Sequence, residues 1–203
     1  MPNLREQLQR CFQGRVCLMG LGNVDYGDDG FGVRLAETLT HSFGVPASVG
    51  SAFQTTEVWH NVAQCHLKAE LETIAAGTEP EHFIGRVVDE RFDHLIFLDA
   101  VEFGGAPGSV VFLDGSEMAA RFPQISTHKI SLGTLAHWVE ASGKTRAWLL
   151  GVQPKSVRPG SGLTPNVQQT LEILDALLSE IHARAFVQSA VLPAPGPRSM
   201  ATL

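Results

Sequence analysis

A chain of 203 residues that is 44% hydrophobic and 18% charged has the makeup of one globular domain with a sizeable core. Its formal net charge of −6, with no run of Lys or Arg, excludes the electrostatic footprint of a protein that binds nucleic acid or an anionic membrane. No stretch approaches the ~18 apolar residues of a membrane span, and Met1–Gln13 lacks the apolar core of a signal peptide.

A cytoplasmic protein is therefore expected. Cys11, Cys17 and Cys65 form neither a C-x-x-C pair nor a zinc-ribbon spacing, and their odd number fits a reducing compartment.

Leu4, Leu8, Cys11 and Phe12 recur at helical spacing and predict a short lead-in helix over residues 1–14, an appendage to the main domain. The apolar run Val16-Cys17-Leu18-Met19 predicts a first strand over Arg15–Met19. It feeds Gly20-Leu21-Gly22-Asn23-Val24-Asp25-Tyr26-Gly27-Asp28-Asp29-Gly30-Phe31-Gly32, the stretch on which the chain is organised. Its glycines let the backbone turn sharply and approach whatever lies above the strand end.

The third glycine is misplaced for a dinucleotide fingerprint, and Asp28 and Asp29 stand where a phosphate would need amide donors. These carboxylates argue for a cation instead. One of them can cap the next helix while the other projects.

Phe31, Leu35, Ala36 and Leu39 form the apolar stripe of a helix ending before Gly44-Val45-Pro46. In Ala47–Leu67, which has no clear pattern, His60, Cys65 and His66 have separations that suit no common zinc-ligand spacing. A second strand, Glu72–Ala76, leads into Gly77-Thr78-Glu79-Pro80-Glu81, with Pro80 opening a helix that runs through Glu90. Leu95-Ile96-Phe97-Leu98 reads as a strand buried on both faces and delivers Asp99 at its carboxyl end. Beyond the glycine-rich turn at Gly104–Gly108, Val110–Leu113 adds a strand through a hairpin or a wide connection.

Ser126 or Thr127 is the expected cap of a helix through Ile130, Leu132, Leu135, Trp138 and Val139. That places His128 in a first turn, where the helix dipole favours the neutral imidazole that a metal needs. Strand Ala147–Val152 then enters a loop rich in Gly and Pro, long enough to cover a site, before Thr164-Pro165 opens the last helix, Asn166 to about Ala185. Residues 15–186 thus form one α/β domain, and the proline-rich tail 187–203 is expected to be disordered.

The alternation of strands and helices predicts a mainly parallel, twisted sheet with helices on both faces. It puts Asp29, Asp99 and His128 around one crevice. Two carboxylates and an imidazole suit Ni, Zn, Mn or Fe better than Ca or Mg. No Gly-x-Ser-x-Gly elbow is present, Ser126 is better explained as a cap than as a nucleophile, and Cys17 inside a strand would be inert.

Six motifs, Gly20-Leu-Gly-Asn23, Gly27-Asp-Asp29-Gly-x-Gly32, Gly77-Thr-Glu-Pro-Glu81, Leu98-Asp-Ala100, Ser126-Thr-His128 and Leu150-Gly-Val-Gln-Pro154, closely resemble in order those of the [NiFe]-hydrogenase maturation proteases. The resemblance implies a three-layer α/β/α sandwich. It implies an endopeptidase that removes the C-terminal extension of a hydrogenase large-subunit precursor after nickel insertion. The nickel would be supplied by the substrate, with no resident cofactor, and would be recognised by Asp29, Asp99 and His128 as both metal-binding and catalytic residues of a monomer.

The Asp-Asp-Gly form of the first motif looks more like proteases serving formate-hydrogenlyase-type enzymes. Many relatives carry Asp-Gly-Gly at the end of the second strand; here Ala75-Ala76-Gly77 stands instead, with Glu79 or Glu81 as candidate substitutes. The rival expectations are a nickel-sensing chaperone that does not cut, an autonomous metallohydrolase, and a nucleotide-binding α/β protein.

Overall fold

The computed structural model describes residues 3–44, 71–122, 130–141 and 143–191. The apolar run after Arg15 forms strand β1 (Val16–Leu21), buried along its whole length. Because successive side chains alternate, Cys17, Met19 and Leu21 enter one core while Val16 and Leu18 enter the other.

Strands β2 (Leu71–Gly77), β3 (His94–Ala100), β4 (Val110–Asp114) and β5 (Arg146–Val152) complete a sheet of order β2-β1-β3-β5-β4. All neighbours pair in parallel except β4, which lies antiparallel on β5. The connection after Asp99 is thus the wide one, since β5 separates β4 from β3.

Helices α1 (Leu4–Cys11), α2 (Phe31–Gly44) and α6 (Pro165–Val191) cover one face through Leu8, Leu35, Leu39, Leu171 and Leu178. Helices α3 (Glu81–Asp89), α4 (Gly115–Arg121) and α5 (Leu132–Glu140) cover the other through Val87, Met118, Leu135 and Val139. The expected three-layer α/β/α sandwich is the observed fold. No helix among the described residues is long and apolar enough to cross a membrane.

Several local expectations are corrected. The lead-in helix α1 is no appendage, because Leu8, Cys11 and Phe12 are buried in the core they share with α2 and α6. Helix α4 went unforeseen, although Asp114 and Glu117 spell a capping box in which each side chain accepts the other's backbone N–H. Helix α5 is capped by Ser131 and opens at Leu132, so neither Ser126 nor Thr127 is its cap and His128 precedes its first turn. Helix α6 continues to Val191, into the segment expected to be a disordered tail. His60, Cys65 and His66 lie outside the described residues.

Two contacts seat the first loop on the sheet. Gly32, at the start of α2, lies so close to β1 and β3 that a Cβ there would fall 1.9 Å from the Leu98 carbonyl oxygen and 2.6 Å from that of Leu21. Gly22 has φ +105°, and a Cβ on it would lie 1.8 Å from the Asp29 carbonyl oxygen.

Neither Asp28 nor Asp29 caps α2 in the expected way; both sit in a 3₁₀ turn, Gly27–Gly30. The fully buried carboxylate of Asp28 reaches instead to the loop after β5. It accepts the backbone N–H groups of Lys155 (2.8 Å), Ser156 (3.0 Å) and Thr164 (2.6 Å) and the Thr164 hydroxyl (2.9 Å). Backbone bonds reinforce the clamp: Gly27 N–H donates to Ser161 O, Asp28 N–H to Ser156 O, and Gly160 N–H to Asp25 O.

At the opposite end of the sheet, Trp148 Nε1–H donates to His94 Nδ1 at 3.0 Å while its ring stacks on Phe112. That nitrogen therefore carries no proton. Burial holds the His94 pKa below its ordinary 6.5, with Asp93 opposing and Arg146 reinforcing the shift. Half-buried His182, tilted against Phe43, is lowered by burial too.

Two outcomes are expected from these contacts. In Asp28→Asn an amide N–H must face one of the present donors, so stability should fall by roughly 2–4 kcal/mol in denaturant melts; an unchanged midpoint would contradict the clamp. Just below pH 6.5 the unfolded chain takes up protons that the folded His94 and His182 refuse, so stability is full at neutral pH and declines on acidification through that window. His94→Gln, which keeps an acceptor for Trp148 but does not titrate, should flatten part of that decline; an identical pH profile would refute the assignment.

Candidate active site

The chain leaves β1 to form β2 on one side and then returns to form β3 on the other, so the carboxyl ends of β1 and β3 bracket a topological switch point. Open α/β sheets bind ligands at such a point because the flanking loops diverge and leave a crevice. Asp29 follows β1 and Asp99 lies near the end of β3. Gly20 pairs with Leu98, which puts the two acids at neighbouring strand ends.

Asp29 is 4% exposed, and its Oδ2 accepts the Asn23 N–H at 2.8 Å. The preceding turn is fixed by Asn23 Oδ1, which accepts the Asp25 N–H, and by Arg34, which donates to the Val24 carbonyl. A Cβ on Gly22 would stand 3.6 Å from the Asp29 carboxyl carbon, so this carboxyl lies directly above the end of β1.

Asp99 is 1% exposed, and its Oδ1 accepts the Ala100 N–H at 2.8 Å. Burying an acid costs free energy unless hydrogen bonds or a cation compensate it, and an ionised carboxylate can only accept. Two such groups at one rim can hold a cation or take a proton from water.

His128 lies outside the described residues, so the third member expected for the site is not placed here. Among the described residues no group of three or more His, Cys, Asp or Glu side chains is arranged to hold a metal. Of the acids expected to stand in for the missing Asp-Gly-Gly, Glu79 faces His82 at 3.6 Å, while Glu81 occupies the first turn of α3 with Oε2 buried. Their loop touches the first one, where Gly22 N–H donates to the Gly77 carbonyl at 3.0 Å.

Gln153 is a residue to which its sequence motif alone assigns no role. Its buried side-chain oxygen accepts the N–H groups of Phe103 and Gly105, while its amide donates to Glu102 at 2.6 Å and to the Pro154 carbonyl. It thereby pins the segment beyond Asp99. Its place in Leu150-Gly-Val-Gln-Pro154, where a polar residue follows an apolar strand, was the available signal.

The two described thiols are not nucleophiles. Burial pushes Cys11 up to about 12 and raises Cys17 further, with Glu72 adding to the effect at Cys17.

Residues 57–180, well over half of the chain, match the family model HycI, described as hydrogenase maturation protease. The match includes Asp99 and His128. The hydrogenase 2 maturation protease of Escherichia coli is 29% identical over 162 residues, 78% of this chain and 84% of that protein.

Among solved structures, the [NiFe] hydrogenase maturation protease HycI from Thermococcus kodakarensis superposes with TM-score 0.67 at 25% identity, covering 87% of this chain and 99% of that one. The hydrogenase maturating endopeptidase HybD from E. coli gives TM-score 0.59 at 26% identity, over 86% and 93% of the two chains. With this fold and these matches, the chain belongs to the hydrogenase maturation protease family and is a peptidase.

Proposed function

We propose that the protein is an endopeptidase that removes the C-terminal extension of a [NiFe]-hydrogenase large-subunit precursor once nickel has been inserted. The observation that carries this reading is the pair of buried carboxylates, Asp29 and Asp99, at the neighbouring ends of β1 and β3 in a member of this protease family.

The nickel belongs to the substrate and serves as the recognition mark, with Asp29, Asp99 and His128 as its ligands on the protease side. Oxygen and imidazole donors suit such a borderline cation. Two routes to hydrolysis are open to this set. The substrate's metal can polarise the scissile carbonyl or acidify a water, or an aspartate can act as general base on that water. The described free thiols, Cys11 and Cys17, support a reducing, cytoplasmic setting for the reaction.

Asp29→Asn, Asp99→Asn and His128→Ala should each slow processing of nickel-loaded precursor by roughly 100-fold or more while retaining a cooperative melting transition. Processing at the unmodified rate in all three folded variants would overturn the assignment.

A further inference from the structure

We propose that Gln153, paired with Glu102, is a positioning residue of the active site: it fixes the main chain that follows Asp99 and so aims the Asp99 carboxylate. What that carboxylate then does rests on the protease reading above; the pairing and its effect on Asp99 have a readout of their own.

The chain of contacts starts at the acid. Asp99 Oδ1 accepts the N–H of the next residue, Ala100, at 2.8 Å, so the side chain follows the tilt of the peptide that joins them. Strand β3 ends at Ala100, and beyond it Val101 N–H donates to the Val152 carbonyl of β5 at 2.9 Å. Gln153 takes over where the two strands end.

This buried residue uses all of its polar groups. Its main-chain N–H donates to the Ser109 carbonyl at 2.8 Å, and its carbonyl accepts the Gly108 N–H at 2.9 Å. In the side chain, Oε1 accepts the N–H groups of Phe103 (3.0 Å) and Gly105 (3.1 Å), while Nε2 donates to Glu102 Oε1 (2.6 Å) and to the Pro154 carbonyl (3.3 Å). Donors around one atom and acceptors around the other permit a single orientation of the amide. An apolar side chain of the same size would leave both N–H groups without this acceptor.

Little else restrains the near end of the connection. Glu102 and Gly104 are exposed, Gly104 has φ +78° with open space where a Cβ would stand, and Phe103 supplies the apolar contact with the core. The far end is held separately, since the Thr170 hydroxyl of α6 donates to the Gly108 carbonyl at 2.7 Å. Changing the Gln153 side chain therefore releases residues 102–105, next to Asp99, while the main-chain bonds at 108 and 109 persist. Leu98 pairs with Gly20 of β1, so movement after Asp99 is felt at the rim it shares with Asp29. A displacement of about 1 Å in a reacting group can cost roughly 100-fold in rate.

The test compares Gln153→Leu, Gln153→Glu, Glu102→Gln and the swapped pair Glu102→Gln/Gln153→Glu, with Thr145→Val as control. Thr145 lies at the opposite end of β5, where its buried hydroxyl donates to the Phe92 carbonyl at 2.7 Å. Cleavage of nickel-loaded large-subunit precursor and amide hydrogen exchange are measured on each folded variant. Gln153→Leu and Gln153→Glu should lower kcat roughly 10-fold or more with KM within about threefold. Gln153→Leu should also speed exchange at Ala100, Phe103 and Gly105. Glu102→Gln, whose amide oxygen still accepts from Gln153, should match the unmodified protein. The swapped pair again sets a donor against an acceptor and should recover kcat to within about threefold, and the control should melt earlier with kcat unchanged.

Unchanged kcat or unchanged exchange at Ala100 in folded Gln153→Leu would overturn the proposal. So would a swapped pair that restores nothing, or a loss of activity in Glu102→Gln at an unchanged melting temperature, which would make the Glu102 charge itself the working group. Faster exchange at Ala100 in Gln153→Leu, with no cleavage by the unmodified protein, would support the positioning of Asp99 and remove the protease reading instead.

Discussion

The start of α2 rests directly on the ends of β1 and β3, backbone against backbone, and the site depends on that contact. Gly32 meets the carbonyl oxygens of Leu98 and Leu21, and Gly22 meets that of Asp29, at separations that leave no space for a Cβ. The close approach draws the 3₁₀ turn carrying Asp28 and Asp29 over the sheet edge instead of letting it swing into solvent. Asp28 then fixes the loop after β5, while the Asp29 carboxylate accepts the Asn23 N–H beside the end of β1. Adjacent acids of the same type thus take different partners, Asp28 in the loop after β5 and Asp29 at Asn23.

Much of this was legible in the chain. A continuous apolar run ending in Asp99 read as a strand covered on both faces, and a Gly-rich turn with two acids after another such run marked the neighbouring rim. The features that escaped reading depended on partners distant in sequence. Nothing local says that Asp28 spends its carboxylate on Lys155, Ser156 and Thr164, more than a hundred positions away. The burial of Leu8 and Phe12 likewise comes from α6, whose apolar face they meet.

The capping errors are of another kind. Ser126, Thr127 and Ser131 all qualify chemically as helix caps, and only the tertiary placement of Leu132 and Leu135 in the core selects Ser131. With that selection the dipole argument for a neutral His128 falls away, and its proposed role rests on its motif and on the family. The capping box at Asp114 and Glu117 was readable from the Asp-x-x-Glu spacing, although no element is assigned from sequence between Leu113 and Ser126.

At the centre of the proposed chemistry are two buried carboxylates, Asp29 and Asp99, proposed as ligands of a metal that arrives with the substrate. The most direct measurement is intact-mass spectrometry of a large-subunit precursor incubated with this protein, with and without inserted nickel. The expected result is one C-terminal truncation that appears only with nickel. Cutting of nickel-free precursor at the same rate would contradict it, and a stable complex with no change in mass would show a protein that senses the metal centre without cleaving.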